Sequence, residues 1–270
     1  MRWRRFYPVL VVAILLLYLG PMFWIFTTSF KNRGEYFTYP PVFVPKHLSF
    51  SHFKNALFEH GGAKGILNSL IIASFCTVFS LAISAPAAYS LARFRVGGEH
   101  LAFWILSIRM LPPIAVVLPI FLFYGKLRLL DTYRGMILIH AIIDIPFAVW
   151  LLRGFLEDIP VSLEESALVD GCTRFQAFYK IALPLVAPGL VATALFSFIF
   201  SWNEFIFALI LTRTKAVPIT VVIPNLIGGH EILWAEISAL ALMASAPVIV
   251  FALFLQKYLI RGLTLGAVKG

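Results

Sequence analysis

An all-α, polytopic membrane fold is what this sequence predicts, on three observations. Hydrophobic residues make up 60% of the 270 and charged residues 13%. These are above the apolar share and below the charged share of a soluble domain. The 26 Phe and 6 Trp could not be given a water-facing surface in a chain of this length. Third, apolar residues gather in six runs, each close to the roughly 20 residues that a helix needs to cross a bilayer. Within lipid the backbone finds no water to bond, so such runs must be helices. The chain therefore reads as one transmembrane domain, 1–270, with six spans.

The first run, 8–30, is uncharged and follows Arg2, Arg4 and Arg5. No small-residue cleavage site ends it, so it reads as an uncleaved anchor. The second, 66–92, is also uncharged. The third, 101–124, carries Arg109 and the pair Pro112-Pro113; the fourth, 135–152, carries Asp144 and Pro146. The fifth, 184–211, carries Glu204, and the sixth, 237–256, carries no charge. The prolines in the third and fourth runs are expected to kink or break their helices. Carbonyls freed there either line a cavity or are absorbed by packing. Six is even, which puts both termini on one side. Lys and Arg divide almost evenly between the two sides, but the cluster Arg2, Arg4, Arg5 favours a cytoplasmic N-terminus. The formal charge of +9 sits mostly outside the apolar runs. It reads as membrane topology and contact with anionic lipid, not as binding of nucleic acid. Cys76 lies in an apolar run and Cys172 in a polar gap, so neither a disulfide nor a metal site is expected.

The polar gap 160–183, between the fourth and fifth runs, has its own local chemistry. Ser162-Leu-Glu-Glu165 has the pattern of a capping box, in which the Ser hydroxyl caps the first turn and Glu165 reaches back. Leu163, Ala167 and Leu168 recur on one helical face. Asp170-Gly171 ends that helix, with Gly suited to a left-handed residue. Thr173-Arg-Phe-Gln176 caps a second short helix whose apolar residues are Phe175, Phe178 and Ile181. Pro184 and Pro188 mark entry to the fifth run. Two short amphipathic helices with a sharp turn between them are expected at the membrane surface. On these residues alone they could be an ordinary interfacial pair covering the end of the bundle.

The same stretch carries a longer pattern. Glu165-Ser166-Ala167 is followed by three residues and Gly171, then by nine residues and Ile181, Leu183 and Pro184. It resembles the EAA loop of ABC-importer permeases at every spacing, with Ser166 where that family usually has Ala. The resemblance covers most of the chain and points to the carbohydrate branch, specifically the smaller six-span permease of the maltose type. Arg109-Met-Leu-Pro112 and Trp202-Asn-Glu-Phe205 are similar to segments of that branch. The ending, with Gly262, Gly266 and Lys269, is similar to its C-terminal tail, which reaches into the ATPase dimer. The resemblance implies that Glu165, Ser166, Ala167, Asp170, Gly171, Ile181, Leu183 and Pro184 dock in a cleft of a dimeric ABC ATPase. Glu165 would pair with a basic residue there, or serve only its own helix cap, or both. The resemblance also implies a homologous second permease, an extracytoplasmic substrate-binding protein and a place in the bacterial cytoplasmic membrane with both termini inside. Gly228-Gly229 lies where the maltose-type permease has a loop that enters the binding protein's sugar cleft; an ordinary flexible loop would look the same.

Intramembrane charges are costly and are candidates for function. At about 1.5 Å per helical residue, Arg109 and Asp144 each lie about 12 Å from the cytoplasmic end of their spans. They stand at one level and are expected to pair, either as a structural tie between helices or as a gate. Glu204 lies near the outer mouth, with Asn203 beside it. These two read as a hydrated interfacial patch, or as a contact for sugar or for the binding protein. His140, one turn before Asp144, reads as a satisfied helix residue.

Other classes fit less well. An ion-coupled secondary transporter needs midplane carboxylates and usually repeats; Asp144 is the only candidate, and no repeat is visible. A membrane-embedded enzyme needs a nucleophile–base or metal constellation in the spans, and the pattern H-E-x-x-H does not occur. Neither does the phosphate-cradling G-x-x-x-x-G-K-[ST]. The chain is thus expected to bind no cofactor and to catalyse nothing itself, ATP and Mg²⁺ being held by the partner ATPase.

Overall fold

The computed structural model describes residues 3–94, 96–228 and 232–267, with side chains at 8 and from 10 to 256 within those ranges. The described chain is helical and contains no strand among its described residues. Four unbroken helices are long and apolar enough to cross a membrane, and the number rises to six when each of two bent pairs counts as one span. The unbroken ones match the first, second, fourth and sixth expected runs. They are α1 (Trp3–Thr28), α4 (Gly62–Phe94), α7 (Tyr133–Glu157) and α14 (Trp234–Ala267).

The third expected span is not a single helix. Helix α5 (Gly98–Ser107) runs into a 3₁₀ turn, Ile108–Met110, and α6 (Pro113–Leu127) then leaves at 86°. Leu111 and Pro112 between them are extended. Each proline removes an N–H and bars the α conformation from the residue before it, so two in sequence force the break. Pro146 behaves otherwise and sits inside unbroken α7. The fifth expected span, 184–211, is also corrected. Helix α8 (Ser162–Val169), α9 (Arg174–Ala177), a wide turn Phe178–Ala182 and α10 (Leu183–Leu185) come first. A 75° bend at Val186 separates them from α11 (Ala187–Asn203). That helix stops at Glu204, and α12 (Ile206–Leu211) follows.

Contacts divide the chain into two compact units. The first comprises Met1–Ile66 and Val221–Pro247. It contains α1, α2 (Arg33–Tyr36), α3 (Ser51–Lys54), the wide turn Asn55–Glu59, the end of α13 (Ile219–Asn225) and the first half of α14. His52 Nδ1 lies 3.0 Å from Glu236 Oε1, tying α3 to the start of α14. Glu35 accepts backbone N–H bonds from Asn32 and Lys46, which folds the loop after α1 onto α2. Lys31 is wholly buried with its Nζ 3.8 Å from the Trp24 ring centre.

The second unit comprises Leu67–Thr220 and Val248–Gly270. Small residues of α4, Ala85 and Ala88, let it approach Val149, Leu152 and Leu156 of α7, with Ala102 of α5 and Ala182 and Val186 closing the cluster. Helix α11 comes equally close to α7, since a Cβ on Gly189 would lie 2.5 Å from the Phe155 ring.

At one end of this unit Asp131 fastens the α6–α7 turn to the segment after α12. Its backbone N–H donates to Leu211 O, and its carboxylate accepts the N–H groups of Arg213, Thr214, Lys215 and Ala216 and the Thr214 hydroxyl. Partial burial alone would raise the pKa of Asp131. The hydrogen bonds outweigh it and hold the pKa at about 2, against an ordinary 3.8. A depressed carboxylate pKa contributes stability that is present above the ordinary value and is lost as pH falls through the folded one. The turn is thus expected to loosen between pH 4 and 2, followed by amide exchange of 213–216. Asp131→Asn, which removes the charge and half the acceptors, is expected to mimic this at pH 7 at a cost of about 2 kcal/mol.

Candidate functional site

The loop 160–183 forms two short helices, as its pattern requires, but its first turn differs from the expected one. The helical turn already begins at Pro160, whose carbonyl accepts from Leu163 N, with Val161 O accepting from Glu164 N and Glu165 N. Ser162 is therefore the first residue inside α8 and cannot cap it. The Ser162–Glu165 capping box is not formed, and Glu165 is exposed. The second expected box is present: Gln176 N donates to Thr173 Oγ1 at 3.2 Å, and Thr173 N donates to Gln176 Oε1 at 2.8 Å.

Between the helices, Gly171 has φ +88°. Cys172 N donates to Ala167 O at 2.9 Å and Gly171 N to Leu168 O at 3.1 Å. This pair of bonds is the Schellman closure, which satisfies the last carbonyls of α8 and turns the chain sharply. Ala167 is buried, whereas Ser166 and Asp170 face out with Glu165. Ile181 and Leu183 are half-buried, Leu183 packing against the α4–α7 cluster, and Pro184 is exposed. Val169 and Phe175 are 88% and 74% exposed, so the loop presents an apolar as well as an acidic face.

The glutamate that turns inward is Glu164. Its Oε1 accepts from Arg93 Nε at 2.7 Å and its Oε2 from Tyr89 OH at 2.6 Å. The sequence reading passed it over in favour of Glu165. A signal was there: Glu164 shares a face with Ala167 and Leu168 at i+3 and i+4, and Tyr89 and Arg93 are themselves four apart on α4.

Within the spans, Arg109, His140, Asp144, Phe200, Ser201 and Glu204 line one small cavity. Arg109 and Asp144 thus share a level, but the expected ion pair is absent. The Arg109 guanidinium lies 4.1 Å from the Phe200 ring centre and 5.0 Å from that of Phe147, with Nη1 3.5 Å from Ile143 O. Aromatic faces attract a desolvated guanidinium, and the 3₁₀ turn and break after it fix its direction. Asp144 is buried, facing the hydroxyls of Ser80 and Ser197 without a well-formed hydrogen bond to either oxygen. Glu204 also departs from expectation. It accepts from Phe207 N and Ala208 N at 2.9 and 3.0 Å, starting α12, and lies 3.4 Å from His140 Nε2 with its side chain 15% exposed. The helix break at 204–205 folds it inward, away from a hydrated mouth. His140 is a member of this cluster, its Nδ1 2.7 Å from Ser201 Oγ. Asn203 is exposed and bonds back to Ile199 O.

Gly228 lies in the turn after α13, its N–H donating to Asn225 O. Gly229 and Lys269 lie outside the described residues. Gly262 and Gly266 fall in the last turns of α14, which continues to Ala267.

Four helices of membrane length and two bent pairs that can each count as a span, with a two-helix loop closed by a Schellman turn, define a polytopic membrane protein. Residues 80–265 match the family described as binding-protein-dependent transport system inner membrane component. The chain belongs to that family and is an ABC transporter permease. It is 40% identical over 270 residues to a probable ABC transporter permease of Sinorhizobium fredii, covering 99% of this chain and 95% of that one. It is 34% identical to the diacetylchitobiose uptake system permease of Streptomyces coelicolor, covering 96% of each. Among solved structures, a bacterial ABC transporter involved in the import of the acidic polysaccharide alginate superposes with a TM-score of 0.78 at 27% identity, covering 96% of this chain and 98% of that one.

Proposed function

We propose that this chain is one of two permease subunits of an importer for a carbohydrate or polyol, and that α8 and α9 form its docking element for a dimeric ABC ATPase. The observation that carries the docking role is the outward set Glu165, Ser166 and Asp170 beside exposed Val169 and Phe175, on a loop held rigid by the Gly171 turn. The substrate class rests on relatives that serve diacetylchitobiose and alginate. ATP and Mg²⁺ belong to the ATPase, and an extracytoplasmic binding protein delivers the sugar. The N-terminus and the loop 160–183 face the cytoplasm. ATP-driven closure brings the docking loops together and opens the cavity outward; hydrolysis resets it. Arg109, Asp144, Asn203 and Glu204 belong to the translocation path or to its gate. Gly228 and Gly229 belong to an outward loop facing the binding protein, and Gly262, Gly266 and Lys269 to a tail that meets the ATPase.

The test is uptake in proteoliposomes holding the complex made from this gene and its chromosomal neighbours. Labelled diacetylchitobiose and alginate oligosaccharides serve as probes, with ATP inside. Uptake that requires ATP and binding protein is the expected result. Uptake driven by an ion gradient without ATP would overturn the reading. In the same vesicles Glu165→Lys is expected to abolish uptake and release the ATPase on purification while the spans remain folded, because it changes only an exposed charge; normal uptake would remove Glu165 from the docking surface.

A further inference from the structure

The exposed docking face explains how an ATPase could grip the loop, but not where the movement goes next. Helix α8 is joined to α7 through a short turn and reaches α11 only through α9, α10 and a 75° bend. A buried ion pair and a hydrogen bond run elsewhere, from Glu164 to the end of α4. We infer that Glu164 and Arg93 form a latch that makes α4 move with the docking loop, so that α4 receives the ATPase's motion directly. This rests on the docking role proposed for the loop.

Four observations carry it. Glu164 and Arg93 side chains are each 6% exposed, so their bond is not weakened by water as a surface pair is. Both carboxylate oxygens are engaged, one by Arg93 and one by Tyr89, both from α4. Arg93 Nη2 also donates to Ile159 O at 3.1 Å, holding the turn that enters α8. Finally, the same stretch of α4 grips the second short helix and its wide turn: the Tyr89 and Phe178 ring centres are 4.8 Å apart, and the Arg174 guanidinium is 5.3 Å from the Phe94 ring centre. Arg153, which pairs with Glu99 and Glu157, binds exposed glutamates of α5 and α7 and through them reaches neither α8 nor α9. A buried ion pair adds little net stability over apolar packing, but it admits fewer alternative registers. A latch between two moving elements needs that property. Glu164, Arg93 and Tyr89 are positioning residues: they touch no substrate.

The experiment uses the assembled complex with Cys76→Ala and Cys172→Ser, and a bimane probe on Leu67→Cys. Leu67 is exposed near the far end of α4. Bimane emission is read before and after Mg-ATP with vanadate, alongside ATP hydrolysis and sugar uptake. The test variant is the double Arg93→Ala/Glu164→Ala, which leaves no orphan charge. Coupling energies between sites correspond to about 5–150-fold, so uptake per ATP hydrolysed is expected to fall about tenfold. ATP hydrolysis persists and the bimane response is lost. Arg93→Lys keeps the charge pair and is expected to keep most of the response. A double variant that responds and imports like the parent overturns the latch. So does a parent complex whose α4 probe does not respond to nucleotide, or an Arg93→Lys that loses as much as the double. If the parent imports none of the sugars tried, the carbohydrate reading fails, and the bimane arm, which needs no sugar, still decides the latch.

Discussion

Glu164→Ala is expected to lower the stability of the second unit by about 3–5 kcal/mol, the usual penalty for stranding one member of a buried ion pair. Arg93 would remain with its guanidinium out of water and a single carbonyl, Ile159 O, as acceptor. Melting of the purified complex is the measurement. Glu59→Ala, at an exposed glutamate outside the loop 160–183, is the control, and its effect is expected to stay within about 0.5 kcal/mol. Adding Arg93→Ala to Glu164→Ala removes the orphan, so the double variant is expected to be milder than the sum of the singles. Additive losses would mean that the 2.7 Å contact contributes nothing in solution.

Gly171→Val is expected to break the docking loop itself. At φ +88° the backbone lies where L residues are strained, although nothing stands within 4 Å of a new Cβ. The cost is therefore conformational, at least about 1–2 kcal/mol, and higher for a β-branched side chain. Relief requires φ to change sign. That would take Cys172 N away from Ala167 O, and α9 would leave α8 in another direction. Co-purification of the ATPase is expected to fall sharply while the spans still insert and fold. Gly171→Asn, which tolerates the left-handed region better, is expected to retain most of it. Full ATPase retention by the Val variant would show that the turn does not set the docking geometry.

The helical spans and the Gly171 turn were legible because they rest on local rules. Apolar length dictates a membrane helix, and a glycine ahead of a capped segment dictates where a helix can stop. The prolines marked where α5 and α6 separate, though not that Pro146 would be carried inside α7. Residue-to-residue partnerships were less legible. Equal depth put Arg109 and Asp144 at one level, and they do line one cavity, yet two phenylalanines hold the guanidinium. One unbroken helix over 184–211 would put Glu204 near the outer mouth, but α11 closes at Asn203, and Glu204 turns inward to start α12 and meet His140.

By itself, then, the sequence determined the class of fold, the six apolar segments, the two-helix loop 160–183 and its sharp turn, because each follows from short-range chemistry along the chain. Only the tertiary structure decided which of two adjacent glutamates turns inward and which partner each buried charge takes. A rotation of about 100° per residue around a helix separates Glu164 from Glu165. Which of those faces is covered depends on where α4 lies, and no local pattern in 160–183 contains that.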